Sequence, residues 1–292
     1  THILKGTSYV KDFKTAYDLL SPYMIVCVPD LFRLVFTQKQ TGRLLLSNNC
    51  GLIFMGGAKL DGKIEQNIMS SGIPLSLIYG QTETGASISI SPYRQHRTTS
   101  AGKIVEGMIV RIAPNGEILV KGENVMLGYY KDPARTKSVF TEDGWFRTSD
   151  IAVQDEKGRF YIKGRNNNMI LGPSGENIYP EEIENVLNNV EGVSESIVVE
   201  RDGRLVALVQ PLENYIDWDN ESEDKMYEKI DNWKKKILSI TNKSVSKSSQ
   251  VSSVEVMKEP FEKTATQKIR RFKYKDSAPT VEAELEQQKK EN

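Results

Sequence analysis

A five-residue segment, Leu75–Tyr79, which is apolar except for Ser76, ends at Gly80 and restricts the possible folds of this chain more than any other segment. A strand that delivers a glycine to a loop is typical of an open α/β sheet, in which ligands bind where strands end. Thr82 and Glu83 follow, and a neighbouring hydroxyl and carboxylate suit a phosphate and its Mg²⁺. The segment therefore predicts a phosphate site at a sheet edge. The alternative is that Thr82 and Glu83 only cap a helix with an acidic first turn.

Short apolar clusters upstream of this run predict further buried strands and helices of the same α/β layer. They are Tyr23–Val28, Leu31–Phe36, Leu44–Leu46 and Leu52–Met55.

Two β-hairpins are predicted downstream, where alternating patterns flank turn residues. The first covers residues 109–120 around an Asn-Gly turn. The second joins Ile151–Gln154 to Arg159–Lys163, which puts Asp150 and Arg165 at neighbouring strand ends. We therefore expect Asp150 and Arg165 to lie close together. The simpler interpretations are an ordinary turn residue for Asp150 and a surface ion-pair partner for Arg165.

A polar tract, Asn166–Asn168, suits neither strand nor helix and predicts a domain boundary. Beyond it, Pro180 begins an amphipathic helix, residues 196–209 form a hairpin pattern, and the spacing of apolar residues over Met226–Ile237 indicates a second helix. A Ser- and Lys-rich stretch, Ser244–Ser253, is expected to be flexible. The second domain is therefore predicted to be α+β.

The composition excludes some partners. Lys plus Arg (39) equals Asp plus Glu (39), so no global field attracts nucleic acid or an anionic membrane. Cys27 and Cys50 are next to apolar residues, which fits a reducing cytoplasm better than a disulfide framework. With no long apolar run and no signal-peptide pattern, we expect a soluble cytoplasmic protein with at most peripheral membrane contact.

Taken in order, these features resemble the adenylate-forming superfamily, which comprises acyl-CoA synthetases, nonribosomal-peptide adenylation domains and luciferases. The resemblance extends from about Val28 to Tyr274 and rests on an ordered set of motifs. They are Gly56–Leu60, Tyr79–Glu83, Gly116–Gly122 through Gly128–Tyr130, Trp145–Asp150, Gly164–Arg165, Gly175–Glu184 and the segment around Lys268. The last two motifs look most like those of long-chain fatty acid–CoA ligases.

The resemblance implies a mixed fold, α/β and then α+β. Residues 1–165 would be the carboxy-terminal part of the large nucleotide-binding domain, with a partial α/β layer and a small β-barrel-like unit. Residues 166–292 would be a small mobile α+β lid domain that rotates near Asn167, where the family usually has Asp or Lys. The family's phosphate-cradling Ser/Thr/Gly-rich loop is not found and the chain does not begin with Met. We therefore expect the carboxy-terminal portion of a longer enzyme, inactive without its amino-terminal part.

The resemblance also implies a two-step reaction that uses ATP, Mg²⁺ and coenzyme A. A carboxylic acid, expected to be a fatty acid, becomes acyl-AMP and then acyl-CoA. Lys268 would bridge the substrate carboxylate and the α-phosphate, Thr82 would bind the α-phosphate, and Glu83 would hold Mg²⁺. Asp150 and Arg165 would bind the ribose hydroxyls.

Further contacts to the nucleotide follow from the same resemblance. Tyr79 would stack on adenine, Gly57 and Ala58 would approach its other edge, Gly80 would shape the loop, and Ile162 would cover the base. The simpler interpretations are core packing for Tyr79 and a tight turn for Gly57 and Ala58.

In the second domain, Gly172 and Gly175 would line the coenzyme A tunnel, with ordinary turn geometry as the alternative. Lys268 lies in a basic run that is otherwise typical of a solvated face. Ser149 and Gln267 stand where the family usually has glycine, and no role is assigned to His2 or His96.

Two other functions fit parts of the sequence. An adenylation enzyme of the same superfamily would load its acyl or amino acid onto a carrier protein. A noncatalytic interaction module would bind nucleic acid or an acidic surface through residues 258–275. Aromatic residues are sparse there and glutamates dilute the charge, so no nucleic-acid partner is expected.

Overall fold

The computed structural model of the protein describes most of the chain. The described residues are 17–29, 51–58, 60, 62–70, 72–212, 215–216, 223–264 and 268–281. The predicted clusters Leu31–Phe36 and Leu44–Leu46, together with His2, Cys50 and Gln267, lie outside them. The chain divides into two compact units, Thr1–Asn166 and Asn167–Asn292. Whether the second unit rotates at Asn167 stays a prediction.

A five-stranded sheet lies in the first unit. Its strands are β1 (Met24–Cys27), β2 (Leu52–Gly56), β3 (Leu75–Tyr79), β4 (Ser89–Ser91) and β5 (Lys103–Ile104), in that spatial order. Strands β1 to β3 are parallel, whereas β4 and β5 are antiparallel to their neighbours. Helix α1 (Gly62–Ser70) connects β2 to β3. Ile53, Ile64 and Leu75 are buried in one cluster between them, as the apolar runs predict.

A four-stranded antiparallel sheet follows in the same unit. Its strands are β6 (Met108–Ile112), β7 (Glu117–Gly122), β8 (Phe146–Gln154) and β9 (Phe160–Arg165), and helix α2 (Pro133–Ser138) lies between β7 and β8. Both predicted hairpins are present, and the strands of the second are longer than the sequence pattern indicated. Phe146 and Ile118 are buried in the core that packs against this four-stranded sheet.

The predicted β-barrel-like unit is wrong, because this sheet is open between β6 and β9. The start of β9 is already paired elsewhere: Phe160 forms a bridge with Gly102, and its carbonyl accepts the N–H of Ala101. A barrel would need β9 to pair with β6 instead. Gly102 is required at this contact, since a Cβ there would lie 2.0 Å from the carbonyl oxygen of Ile90.

The second unit is α+β, as predicted. A two-stranded ladder, β10 (Ile170–Leu171) and β11 (Asn177–Ile178), precedes α3 (Pro180–Leu187). A three-stranded sheet consists of β12 (Val193–Arg201), β13 (Arg204–Pro211) and β14 (Ser253–Val256). The long helix α4 (Glu223–Ser244) comes between β13 and β14 in the sequence. Among the described residues, none of the helices is both long enough and apolar enough to cross a bilayer.

The core of the second unit follows from the predicted apolar stripes. Helix α3 begins at Pro180, which needs no N–H in the first turn, and buries Ile183 and Leu187. Helix α4 buries Ile230, Trp233 and Ile237 in the same cluster. The helices thereby cover one face of the sheet.

Candidate functional site

The carboxyl ends of β2 and β3 meet at one edge of the first sheet, because the two strands are parallel neighbours. Gly57 and Ala58 follow β2 and are exposed, and Gly80 follows β3. A 3₁₀ turn, Thr82–Thr84, comes next. The predicted phosphate segment and the predicted adenine-edge residues therefore lie at the same edge.

Asp150 receives hydrogen bonds at this edge from side chains that are far apart in sequence. The hydroxyl of Tyr79 donates to its Oδ2 at 2.8 Å, and Nε2 of Gln81 donates to the same oxygen at 2.7 Å. Gln81 also donates to the carbonyl of Thr148 at 2.7 Å. Asp150 is only 5% exposed, so these donors hold the carboxylate in a fixed orientation.

Gln81 was missed in the sequence because it lies between the motif residues Gly80 and Thr82 and has no charge. Tyr79, by contrast, has a polar role that neither stacking nor core packing predicted. Burial, followed by the negative charge of Asp150, raises the pKa of Tyr79 well above its usual range. The phenol therefore stays protonated and donates to the carboxylate at physiological pH.

Arg165 lies opposite Asp150 in the ladder between β8 and β9, which confirms the expected proximity. Its Nε is 3.2 Å from Oδ1 of Asp150, and its side chain is 45% exposed. Arg165 therefore pairs with one carboxylate oxygen, while Tyr79 and Gln81 hold the other. The half-exposed guanidinium retains donors for a ligand, and its contact to ribose stays a prediction.

The irregular part of strand β8 that carries Asp150 is supported from β7. Glu117 is 3% exposed, and its Oε1 accepts the N–H of Ser149 at 3.1 Å while its Oε2 accepts from Arg147 at 3.2 Å. Ser149 has a φ of +58°, in the left-handed region that favours glycine. This explains why glycine is usual at this position of the family motif. Glu117 was also missed as a site-supporting residue in the sequence.

We expect Ser149→Gly to stabilise the first unit by about 1 kcal/mol, because a non-glycine residue in the left-handed region costs about that much. The urea midpoint of unfolding measures the change. Ser149→Ala is the matched control, since it removes the hydroxyl but keeps the Cβ. An equal gain in both variants would show that the hydroxyl, and not the backbone, is responsible.

Thr82 and Glu83 lie in the 3₁₀ turn after β3. The capping contacts of this turn belong to Thr84, whose hydroxyl accepts the N–H of Gln81 at 3.1 Å and donates to the Gln81 carbonyl at 3.0 Å. Thr82 is exposed. The capping interpretation therefore applies to Thr84, and the role of Thr82 in phosphate binding stays a prediction.

Glu83 is half-buried, and its Oε1 accepts the hydroxyl of Tyr129 at 2.9 Å. Burial, together with this bond, raises the pKa of Tyr129, so the phenol stays a donor. The bond fixes one carboxylate oxygen and leaves coordination capacity on the other. One carboxylate fits Mg²⁺, which is commonly held by one or two carboxylates plus substrate phosphates. Within the described residues, no group of three or more acidic, His or Cys side chains is close enough to hold a metal by itself.

Close packing of the backbone requires glycine at position 80. A Cβ there would lie 2.3 Å from the carbonyl oxygen of Ala86, so the loop after the 3₁₀ turn fills the space. Gly57 has a φ of +88°. The tight-turn interpretation is thus sufficient for Gly57, close packing is sufficient for Gly80, and the contacts of both with a nucleotide stay predictions.

We expect Gly80→Ala to destabilise the first unit by about 3 kcal/mol, at the upper end of the overpacking range, because backbone atoms must move to make room. Urea unfolding measures the loss. Gly62→Ala is the control, since the nearest atoms to a Cβ there are methyl groups 3.9 Å away. A Gly80→Ala variant as stable as the control would contradict the prediction.

Ile162 lies on β9 and packs, together with Tyr79, against the core of the four-stranded sheet. Both are partly buried. Whether they cover a base is a prediction that their packing does not test.

The other predicted site residues belong to the second unit. Gly172 and Gly175 form the turn between β10 and β11, where the N–H of Gly175 donates to the Gly172 carbonyl at 2.9 Å. Gly175 has a φ of +82°, and the Glu176 side chain fills the space over Gly172. Asn167 is exposed in a 3₁₀ turn, Asn166–Asn168. Their roles in coenzyme A binding and rotation stay predictions.

Lys268 is exposed in the second unit, but the basic run around it is not a uniform solvated face. Arg271 is largely buried and pairs with Glu184, while Arg270 and Lys273 both pair with Glu262. Acidic partners thus neutralise much of the charge that a nucleic-acid surface would need.

His96 has partners, which the sequence did not reveal. It is 5% exposed, its Nδ1 lies 3.0 Å from the Ser91 hydroxyl, and its Nε2 bonds to the buried carboxylate of Glu65. Glu65 also accepts the N–H of Thr99 at 2.8 Å. This buried network ties α1 to the segment after β4.

Comparison with known proteins finds similarity to acyl-CoA ligases over about half of this chain. The family model for AMP-binding enzymes matches residues 2–130. The long-chain-fatty-acid–CoA ligase FadD15 of Mycobacterium bovis is 34% identical over 157 residues, which are 54% of this chain and 26% of that protein. The 2-succinylbenzoate–CoA ligase of Listeria monocytogenes is 36% identical over 153 residues, which are 52% of this chain and 32% of that protein.

Solved structures show the same fold. The O-succinylbenzoate coenzyme A synthetase of Bacillus subtilis, in complex with AMP, aligns with a TM-score of 0.72 at 23% identity. The alignment covers 92% of this chain and 54% of that one. This chain therefore spans about half the length of that structure and about a quarter to a third of the curated relatives above. With the sheet edge, the Asp150 contacts and the ordered motifs in place, the chain matches the AMP-binding enzyme family over residues 2–130 and is similar to acyl-CoA ligases over about half of its length.

Proposed function

We propose that this chain is the carboxy-terminal part of an ATP-dependent, AMP-forming acid–thiol ligase that produces acyl-CoA. The observation that carries the proposal is the orientation of Asp150, fixed by Tyr79, Gln81 and Arg165 at the sheet edge that also bears Thr82. A buried carboxylate that is held but still has free lone pairs suits two neighbouring hydroxyls, such as those of a ribose.

The proposed reaction has two steps. In the first, a carboxylate oxygen attacks the α-phosphorus of ATP, the bond from that phosphorus to the bridging oxygen breaks, and pyrophosphate leaves. In the second, the sulfur of coenzyme A attacks the acyl carbonyl, the bond to AMP breaks, and the thiol proton is released. Both steps need an oriented nucleotide and compensation of negative charge.

Each residue is assigned the contact that suits its functional group. Thr82 donates to the α-phosphate, and Glu83 holds Mg²⁺, which compensates phosphate charge when bound. Asp150 accepts from the ribose hydroxyls, and Arg165 donates to them. Lys268 compensates the charge of the carboxylate and the α-phosphate during the first step.

Three other groups of residues complete the proposal. Tyr79 and Ile162 contact adenine on its faces, and Gly57, Ala58 and Gly80 allow close approach of the backbone. Gly172 and Gly175 contact coenzyme A after a rotation at Asn167. These roles rest on the family motifs.

We propose a fatty acid as the acid and the cytoplasm as the location. The fatty-acid proposal rests on the motif Gly175–Glu184 and the segment around Lys268. The similar proteins include ligases for a long-chain fatty acid, succinylbenzoate and indoleacetate, so this similarity alone leaves the acid open.

The test is carboxylate-dependent exchange of pyrophosphate into ATP, measured on the complete gene product with a panel of acids. Exchange that requires both Mg²⁺ and a fatty acid, followed by thioester formation with coenzyme A, is the expected result. Acyl transfer only to a phosphopantetheinyl carrier protein would overturn the acid–thiol ligase, and exchange with an aromatic acid alone would overturn the fatty-acid proposal.

A further inference from the structure

Lys268 is held in a short hairpin of the second unit. Lys263 and Ile269 form an antiparallel bridge, and the N–H of Thr264 donates to the Lys268 carbonyl at 2.8 Å. The N–H of Lys268 in turn donates to the hydroxyl of Thr264 at 3.2 Å. The backbone around the lysine is therefore defined by its own hydrogen bonds.

An ion pair of Arg271 anchors this hairpin two residues after the bridge residue Ile269. Arg271 Nη2 donates to Glu184 Oε2 at 2.8 Å, and Nη1 donates to Oε1, so the contact is bidentate. Glu184 lies on α3 and is 8% exposed, and the Arg271 side chain is 17% exposed. A bidentate guanidinium fixes direction as well as charge, which an ammonium group does not.

The same pair is also fastened to β12. Oε1 of Glu184 accepts the N–H of Val198 at 2.7 Å, and Nη1 of Arg271 donates to the Val198 carbonyl at 2.8 Å. Burial raises the pKa of Glu184, whereas Arg271 opposes that rise. The helix, the sheet and the lysine hairpin are thus joined at one closed set of hydrogen bonds.

Weaker contacts support the hairpin elsewhere. Lys263 Nζ lies 2.7 Å from Glu195 Oε1, and the N–H of Glu262 donates to the Tyr274 hydroxyl at 2.6 Å. Lys263 and Glu195 are partly exposed, so solvent screens their attraction more than that of the buried pair. Arg271 therefore forms the buried ion pair that restricts the direction of the hairpin, beside the hydrogen bond from Glu262 to Tyr274.

We propose that Arg271, held by Glu184, is a positioning residue that fixes the Lys268 hairpin for the adenylation step. This inference rests on the proposed function, because it needs Lys268 to act in that step. Arg271 acts through the hairpin and touches no substrate. It is required for the step that uses Lys268, and it is dispensable for the second step.

The experiment compares Arg271→Gln, Arg271→Lys and wild type as complete gene products. Exchange of pyrophosphate into ATP reports the first step, and thioester formation from supplied acyl-AMP and coenzyme A reports the second. We expect Arg271→Gln to lower exchange about 100-fold, the effect of a misplacement of about 1 Å, and to change the second step little. Arg271→Lys keeps the charge but cannot form the bidentate contact, so its rate of pyrophosphate exchange should lie between those of wild type and Arg271→Gln.

Arg270→Gln is the matched control, since Arg270 is adjacent in sequence, its side chain is 40% exposed, and its Nε pairs with Glu262 and reaches the Lys263 carbonyl only at 3.5 Å. Arg270→Gln should retain the exchange of pyrophosphate into ATP. Amide hydrogen exchange of residues 262–264 and 268–270 gives a readout that does not depend on activity, and we expect faster amide exchange there in both Arg271 variants. If Arg271→Gln does not fold, the Arg271→Lys variant carries the test.

Three results would overturn the proposal: unchanged pyrophosphate exchange in the Arg271 variants, an equal fall in both half-reactions, or unchanged amide exchange in the hairpin. Failure of the proposed function looks different. In that case wild type itself shows no acid-dependent exchange of pyrophosphate, while the amide measurement still reports whether Arg271 holds the hairpin.

Discussion

Lys268→Ala is expected to reduce carboxylate-dependent ATP–pyrophosphate exchange by about 10²- to 10³-fold, the usual effect of removing one charge-stabilising donor. Two anions must approach each other in the first step, and we propose that the ammonium group of Lys268 compensates their repulsion. Thioester formation from supplied acyl-AMP should remain largely intact, because the acyl phosphate bond is already made. Rapid-quench assays of each half-reaction on the complete gene product measure both effects.

Lys273→Ala is the matched control for this prediction. Lys273 has the same charge and lies in the next 3₁₀ turn, where it pairs with Glu262 at the surface. It should keep both half-reactions near wild type. Retention of exchange in Lys268→Ala would refute the assignment of the lysine, and equal loss in the two variants would indicate a general effect of positive charge.

The second large effect is expected for Asp150→Ala, which should weaken AMP binding by about 10²- to 10⁴-fold. The estimate comes from two lost hydrogen bonds to a charged acceptor, each contributing about 1.5–3 kcal/mol. The substitution also leaves the Tyr79 hydroxyl without its acceptor and Gln81 with only the Thr148 carbonyl, so a loss of stability by about 1–3 kcal/mol is expected as well. Calorimetric titration with AMP and urea unfolding separate the two effects.

A second ligand shows whether Asp150 acts on the ribose. Wild type should bind AMP more tightly than 2′,3′-dideoxy-AMP, and Asp150→Ala should bind the two equally. Asp155→Asn is the control, since Asp155 is a carboxylate in the turn between β8 and β9, bonded to Arg159. An Asp150→Ala variant that still prefers AMP would contradict the ribose assignment.

Local pattern predicted the elements of both units well. The Asn-Gly turn specified the hairpin of β6 and β7, and Pro180 with its apolar stripe specified α3. In both cases the information is contained within a few consecutive residues. Tyr79 and Gly80 were likewise placed at a strand end because a short apolar run ends there.

Predictions that depended on distant partners were incomplete. The stretch Ser244–Ser253 was expected to be flexible from its composition, yet the Asn242 side chain donates to the Val251 carbonyl and accepts its N–H, each at 2.9 Å. The supposed barrel is an open sheet, since Phe160 pairs with Gly102. Neither partner is indicated by the local sequence.

By itself, the sequence determined the strands, the helices and the edge at which the motif residues lie, because periodicity and turn chemistry act between neighbours along the chain. Only the tertiary structure decided which groups hold the functional carboxylate and anchor the lysine hairpin. Gln81 reaches Asp150 across 69 positions of the sequence, and Arg271 reaches Glu184 across 87. Such hydrogen bonds depend on packed strands and burial, and a residue's type or spacing does not indicate its partner.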